Sequence, residues 1–142
     1  MSHKHKRAAG KFEIALSVFR PKVVWMSGPY RGGKGDREIF REGLMKKIKK
    51  GKLVIADGGY KDREDLELSE MMASPSEYDP PELHNFKSRA RLRQETFNGR
   101  IHNFNCVSDI WRHGTKKMEL CIEAIVVTLQ YQMDHGAPLF DV

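Results

Sequence analysis

Residues 115–134, near the C-terminus, place the strongest constraint on how this chain can fold. Their length and periodicity predict a helix, but its apolar side chains lie on nearly every side instead of in one stripe. These side chains are Ile122, Ala124, Ile125, Val126, Val127 and Leu129. A helix of this kind is stable in water only when other elements cover it. We therefore expect it to be buried in the core of a single domain, which is also what a length of 142 residues predicts.

The charged residues are unevenly distributed along the chain, whose formal net charge is +6. Residues 1–50 and 82–117 are strongly basic, whereas residues 51–81 are acidic. A basic surface beside clustered carboxylates suits a protein that holds a polyanion against a divalent metal ion. Charged runs are also common on solvated helix faces, so the distribution alone leaves both interpretations open.

Targeting signals and cysteine usage both indicate an intracellular protein. No apolar segment approaches the length of a membrane span, and the N-terminal MSHKHKRAAG lacks the apolar stretch of a signal peptide. Cys106 and Cys121 are typical of reduced thiols. Together with His102 and His113 they could form a zinc site, but their spacing matches no standard pattern. We expect no membrane partner, and a nuclear location if the host is eukaryotic.

The N-terminal half predicts an α/β order of strand, strand, helix and strand. Alternating polar and apolar residues predict strands near 11–18 and 22–27 that form an antiparallel hairpin. The glycine-rich SGPYRGGKG that follows is expected to be a flexible connection. Asp36 is a candidate helix cap, and the helix after it has an apolar stripe and a glycine placed to end it. The stripe and the terminal glycine are Phe40, Leu44, Ile48 and Gly51.

A carboxylate ends the third predicted strand, at residues 52–57. The run LVIA is short and rich in β-branched residues, and Gly58 and Gly59 break it directly after Asp57. Ligand-binding groups in open α/β sheets lie beyond the carboxyl ends of strands. Asp before Gly is also a common turn pair. The position therefore fits either a turn cap or a carboxylate that points into a cleft.

A second unusual carboxylate lies in a helix expected to start at Pro81, after a mostly irregular acidic stretch at residues 58–81. Glu95 shares one helix face with Arg91 and Gly99. A helical glycine costs roughly 1 kcal/mol against alanine, which suggests that something approaches this face closely. The alternative is a surface ion pair with Arg91, worth only tenths of a kcal/mol. Together with Asp57, Glu95 would supply two oxygen ligands suited to magnesium.

Five segments in this order resemble the DDE-type transposases of the PIF/Harbinger kind. They are SHKHKRAAGKFEIALSV, SGPYRGGKGDREIFREGL, VIADGGY, SRARLRQETFNGRIHNF and APLFDV. The resemblance implies an RNase H-like fold with a mixed sheet and flanking helices, incomplete here because its first strand is missing. It also implies that Asp57 and Glu95 are the second and third acidic metal ligands. Asp36 matches a frequent aspartate of the family outside its catalytic triad.

The chain departs from the family pattern at the first catalytic aspartate. That residue lies on a strand just upstream of the segment that residues 2–6 resemble. In two-metal catalysis it bridges the cations that activate the attacking oxygen and stabilise the leaving one. We therefore expect Mg²⁺ or Mn²⁺ to bind weakly at Asp57 and Glu95, with little or no cutting by this chain alone.

Double-stranded DNA is the expected partner. A separate DNA-binding protein or a second transposase chain is a further candidate. Basic residues of the long helix are expected to contact the phosphates, namely Lys87, Arg89, Arg91, Arg93 and Arg100. The leading hypothesis is a fragment or decayed derivative of a transposase endonuclease domain. The alternatives are a nuclease that is active when the upstream strand is present or supplied by a partner, and a domesticated protein-interaction module.

Overall fold

The computed structural model describes residues 10–57, 60, 64–109 and 111–142 of the chain. Within these residues the protein is a mixed α/β structure with an antiparallel hairpin of two strands. Its elements are β1 (Gly10–Leu16), β2 (Val23–Arg31), α1 (Asp36–Glu42), α2 (Leu66–Met71), α3 (Pro81–His102), α4 (Asn105–Ser108) and α5 (Thr115–Asp134). A short 3-10 helix, Leu44–Lys46, follows α1. The α/β class is confirmed, while the RNase H-like fold stays a prediction.

The predicted hairpin is present, and its second strand is longer than expected. Ile14 pairs with Met26 and Leu16 pairs with Val23, so the apolar positions of both strands share one face. β2 continues to Arg31, through residues expected to be a flexible loop, because β1 supplies pairing partners as far as Gly10. Gly28 has a φ of 129° beside an irregularity in this ladder, and a Cβ there would lie 2.6 Å from the Lys11 carbonyl oxygen. Only glycine fits this close approach without strain.

The main core joins the hairpin to the two long helices. Its fully buried members come from α3, α5 and the segment after α5, and they are Phe97, Ile101, Ile122, Ile125, Val126, Leu129, Met133 and Leu139. Half-buried residues of the hairpin, Phe12, Ile14, Leu16, Val23 and Met26, pack against them. The predicted helices from Pro81 and over 115–134 are therefore confirmed, and the C-terminal segment is part of the core.

A second apolar cluster forms around α1 and α2. Phe40, Leu68 and Met72 are buried there, and Val54 and Ala56 pack against them. The prediction of a strand over residues 52–57 is wrong. Val54 forms one isolated parallel bridge with Met72, through hydrogen bonds of 2.8 Å to the Met71 carbonyl and 2.9 Å from the Ala73 amide. Val54 and Ala56 of the apolar run pack in this cluster, whereas Leu53 is 62% exposed. Apolar residues that pack against helices do not by themselves make a segment join a sheet.

The helix that follows β2 is also shorter than its pattern predicts. α1 ends at Glu42, although Leu44 and Ile48 still pack in the second cluster. Asp36 is not its cap. The capping position belongs to Gly35, and the Asp36 carboxylate accepts a hydrogen bond of 3.1 Å from Lys11 Nζ. Gly58 and Gly59, expected to break the chain after Asp57, lie outside the described residues.

Only one side of α5 is buried, which corrects the expectation that the helix is covered all round. Ile125 and Leu129 lie in the core, but Ala124 and Val127 are exposed to solvent. Among the described residues, no helix has both the length and the apolar character needed to cross a membrane.

Candidate metal and nucleic-acid site

Arg91 brings the two predicted metal ligands to one place on the surface. Its Nη2 atom lies 3.3 Å from Asp57 Oδ1 and 3.7 Å from Glu95 Oε1. Glu95 is one turn along α3 from Arg91, whereas Asp57 comes from the irregular segment after Val54. The two carboxylate oxygens cannot be further apart than the sum of these two distances. Asp57 and Glu95, which are far apart in the sequence, therefore lie close together in the structure.

This carboxylate pair is open to solvent. The side chains of Asp57 and Glu95 are 73% and 64% exposed, and that of Arg91 is 34% exposed. Ion pairs of this exposure are screened and contribute at most about 1 kcal/mol each. A Cβ on Gly99 would meet nothing within 4 Å, so the space beside it on α3 is empty rather than closely packed as we expected. A large ligand such as a nucleic acid would meet no steric obstacle at Gly99.

Further acidic groups lie near Asp57. Burial, together with the negative charges of Asp36, Glu13 and Asp57, raises the pKa of Tyr60 to about 12. Burial also raises the pKa of Glu13, against the opposing effect of a hydrogen bond of 2.8 Å from the Trp25 indole. No group of three or more histidine, cysteine, aspartate or glutamate side chains within the described residues is arranged to hold a metal ion. Asp57 and Glu95 are thus two candidate ligands, short of a complete protein cage.

The five basic residues predicted to contact DNA all make contacts within the protein. Arg93 is only 3% exposed, and its Nη2 atom donates to the Ser17 carbonyl at 2.7 Å and also to the Val18 carbonyl. Burial lowers its pKa, which the charge of Asp141 partly offsets. Arg93 therefore holds the turn between β1 and β2 against α3, and in this structure its guanidinium cannot reach a phosphate.

The other basic residues of α3 bind neighbouring segments in the same way. Lys87 Nζ lies 3.0 Å from both carboxylate oxygens of Asp79, with both side chains nearly buried. Arg89 donates to the Asp141 carbonyl at 2.6 Å, and Arg100 donates to the carbonyls of residues 137 and 138. The contacts of α3 thus hold the acidic segment before it and the C-terminal segment in place.

A lysine run between α1 and Val54 is a more accessible basic surface. Lys46, Lys47, Lys49, Lys50 and Lys52 are all exposed. We call these five residues the lysine run. The sequence analysis counted the first four in the basic residues 1–50 and Lys52 in the acidic region after them, and did not single the run out. Their density in the string MKKIKKGK was the available signal.

The two cysteines are close to each other. The Sγ atoms of Cys106, in α4, and Cys121, in α5, are 3.4 Å apart, and both are free thiols. Burial raises the pKa of the Cys121 thiol, and the neighbouring Cys106 raises it further. His102 and His113 do not complete a group of three ligands with them in the described part of the chain.

Comparisons with known proteins found no similar protein. No protein-family model, no curated protein and no solved structure matches the chain.

Proposed function

We propose that this protein is a derivative of a DDE-type transposase endonuclease domain that binds duplex DNA and, weakly, a divalent cation, and does not cut DNA alone. The observation that supports the proposal is the contact of Asp57 and Glu95 with one Arg91 nitrogen. The same two residues match the family's acidic ligands in the sequence. The negative charge of two carboxylates that attracts a guanidinium can also attract a metal ion.

A metal ion must displace Arg91 to bind both carboxylates. Magnesium binds oxygen at about 2.0–2.1 Å, so two oxygens on one ion are at most about 4.2 Å apart. Arg91 occupies the position between the carboxylates and is only half-exposed, so it competes with the ion for both groups. We therefore expect weak binding, with water completing the coordination shell. One loosely held cation cannot stabilise both the attacking and the leaving oxygens of a phosphodiester.

The lysine run is the surface we propose for DNA. Contact with roughly five phosphates would make log affinity fall with log salt at a slope near 4.5, since each contact on B-DNA contributes about 0.9. Reversing Lys46 and Lys49 to Glu should lower this slope by roughly two. Reversing Arg112 and Lys116 makes the same change in net charge at another exposed place, and it should alter the slope much less.

A supercoiled-plasmid assay in Mg²⁺ or Mn²⁺ tests the endonuclease part of the proposal. The chain alone should leave the plasmid intact, in parallel with Asp57→Asn and Glu95→Gln. Metal-dependent nicking that Asp57→Asn abolishes would contradict our proposal and support the alternative of an active nuclease. Nicking that survives both substitutions would mean that the site lies elsewhere.

A protein-interaction module is the second candidate function, and the exposed apolar side of α5 favours it. DNA binding that does not respond to salt or to the lysine run, together with stable folding, would make it the better interpretation.

A further inference from the structure

The exposed side of α5 carries an apolar stripe directly opposite the core. Leu120, Val127 and Tyr131 are 53%, 68% and 64% exposed, and Ala124 between them is exposed as well. These four residues, which we call the α5 stripe, are spaced by four, three and four positions. At 3.6 residues per turn they lie on one face, about half a turn from the buried residues of the same helix. Nothing in the metal or DNA proposal uses this face.

The order of residues along the stripe is symmetric. Leu120 and Tyr131 are equally far from the midpoint between residues 125 and 126, and so are Ala124 and Val127. Two copies of α5 that cross antiparallel about this midpoint would place Leu120 of one against Tyr131 of the other. The small Ala124 would face Val127, which leaves room for the helices to approach closely. This is the self-complementarity that a two-fold symmetric interface requires.

The charges at the two ends of the stripe have the same symmetry. Lys117 and Asp134 continue the spacing in either direction, are equally far from the midpoint and are both exposed. In the antiparallel pair each Lys117 would face Asp134 of the second copy, twice per dimer. In a parallel pair like charges would face each other. The charge pattern therefore favours one orientation and one occupant, a second copy of this chain.

We propose that the protein forms an antiparallel homodimer through the α5 stripe. Two helices of this length can contact each other along about 30 Å at most. The area buried by such a contact is at the small end of the range for stable interfaces, so we expect a dissociation constant that is roughly micromolar. Sedimentation equilibrium from about 1 to 200 μM should show a monomer–dimer equilibrium across this range. A monomer at every concentration would overturn the proposal.

Substitutions within the stripe test its location. Val127→Glu or Leu120→Glu should weaken association at least tenfold, because each places a charge against an apolar partner. Tyr78→Glu is the matched control, since Tyr78 is 95% exposed and lies outside α5. It should leave the equilibrium unchanged. Dimerisation that survives both stripe substitutions would overturn the proposal, and so would equal loss in the control.

A charge-reversal experiment tests the orientation. Lys117→Glu alone or Asp134→Lys alone should weaken the dimer roughly threefold to tenfold, since each places like charges together at both ends. An equimolar mixture of the two variants should associate more tightly than either alone, because both end pairs are then opposite in sign. Each change also favours the α5 dipole, so loss of the helix would not explain weaker association. A mixture no tighter than its components would contradict the antiparallel arrangement.

Discussion

Replacing Arg93 by Met should destabilise the fold without changing the lysine run, the surface that we propose for DNA. Arg93 is buried in α3, and its guanidinium donates to two carbonyls in the turn between β1 and β2. Hydrogen bonds from charged groups contribute about 1.5–3 kcal/mol each. Part of this gain is offset by the cost of removing the charge from water, which is the main reason that the pKa of Arg93 is lowered. We expect a net loss of about 2–3 kcal/mol in the free energy of unfolding.

Urea unfolding followed by circular dichroism at 222 nm measures this loss directly. Thermal unfolding should show a decrease in Tm of roughly 6–12 °C, because about 1 kcal/mol corresponds to roughly 3–4 °C for a domain of this size. Arg91→Met is the matched control two residues earlier on the same helix. Its two ion pairs are with exposed carboxylates and contribute at most about 1 kcal/mol each, so it should lower the free energy of unfolding by less than Arg93→Met does.

Equal stability of the two variants would refute the structural role assigned to Arg93. DNA affinity supplies a second readout. Well below its Tm, Arg93→Met should bind duplex DNA as the unchanged chain does. A fall in the salt slope by about one would mean that the guanidinium contacts a phosphate after all.

Three further predictions concern titrating groups. A hydrogen bond from Lys87 is the main cause of the lowered pKa of Asp79 in the folded protein. The ionised Asp79 therefore stabilises the fold fully above its ordinary pKa of 3.8, and this stabilisation is lost as the pH falls through the lower pKa of the folded state. Asp79→Asn should therefore destabilise the protein at pH 7, and urea unfolding should show this difference shrinking in acid. Tyr60 should ionise near pH 12, measured by absorbance at 295 nm, and Tyr60→Phe should remove that transition. Iodoacetamide at about pH 8.5 should alkylate exposed Cys106 before Cys121, whose raised pKa leaves less thiolate, as peptide mass mapping would show.

The sequence pattern was sufficient to predict those elements whose stabilising contacts lie within the element or with its neighbour in the chain. The hairpin follows from alternation in residues 11–18, and the long α3 follows from Pro81 at its start and apolar residues on its inner face. The strand expected at residues 52–57 did not form, because a strand needs a partner edge that the run itself does not specify. Val54 pairs instead with Met72, beyond an intervening helix.

Partners distant in the sequence explain most of what the sequence did not predict. A basic helix in a sequence is compatible with phosphate binding and with internal support, and the sequence does not show which atoms each side chain contacts. Arg93 and Arg100 bind carbonyls 75 and 37 residues away. Asp57 and Glu95 could be proposed as a pair only through the family resemblance, and the shared contact with Arg91 became visible only in three dimensions.

Manganese binding, followed by the electron paramagnetic resonance signal of free Mn²⁺, tests most directly whether Asp57 and Glu95 act as one cation site. The unchanged chain should bind weakly, and Asp57→Asn and Glu95→Gln should each reduce the affinity further. Arg91→Met should raise the affinity severalfold, because it removes the cation that competes for both carboxylates. If Arg91→Met leaves the affinity unchanged, or if both carboxylate variants bind as the unchanged chain does, the two residues do not form a shared metal site.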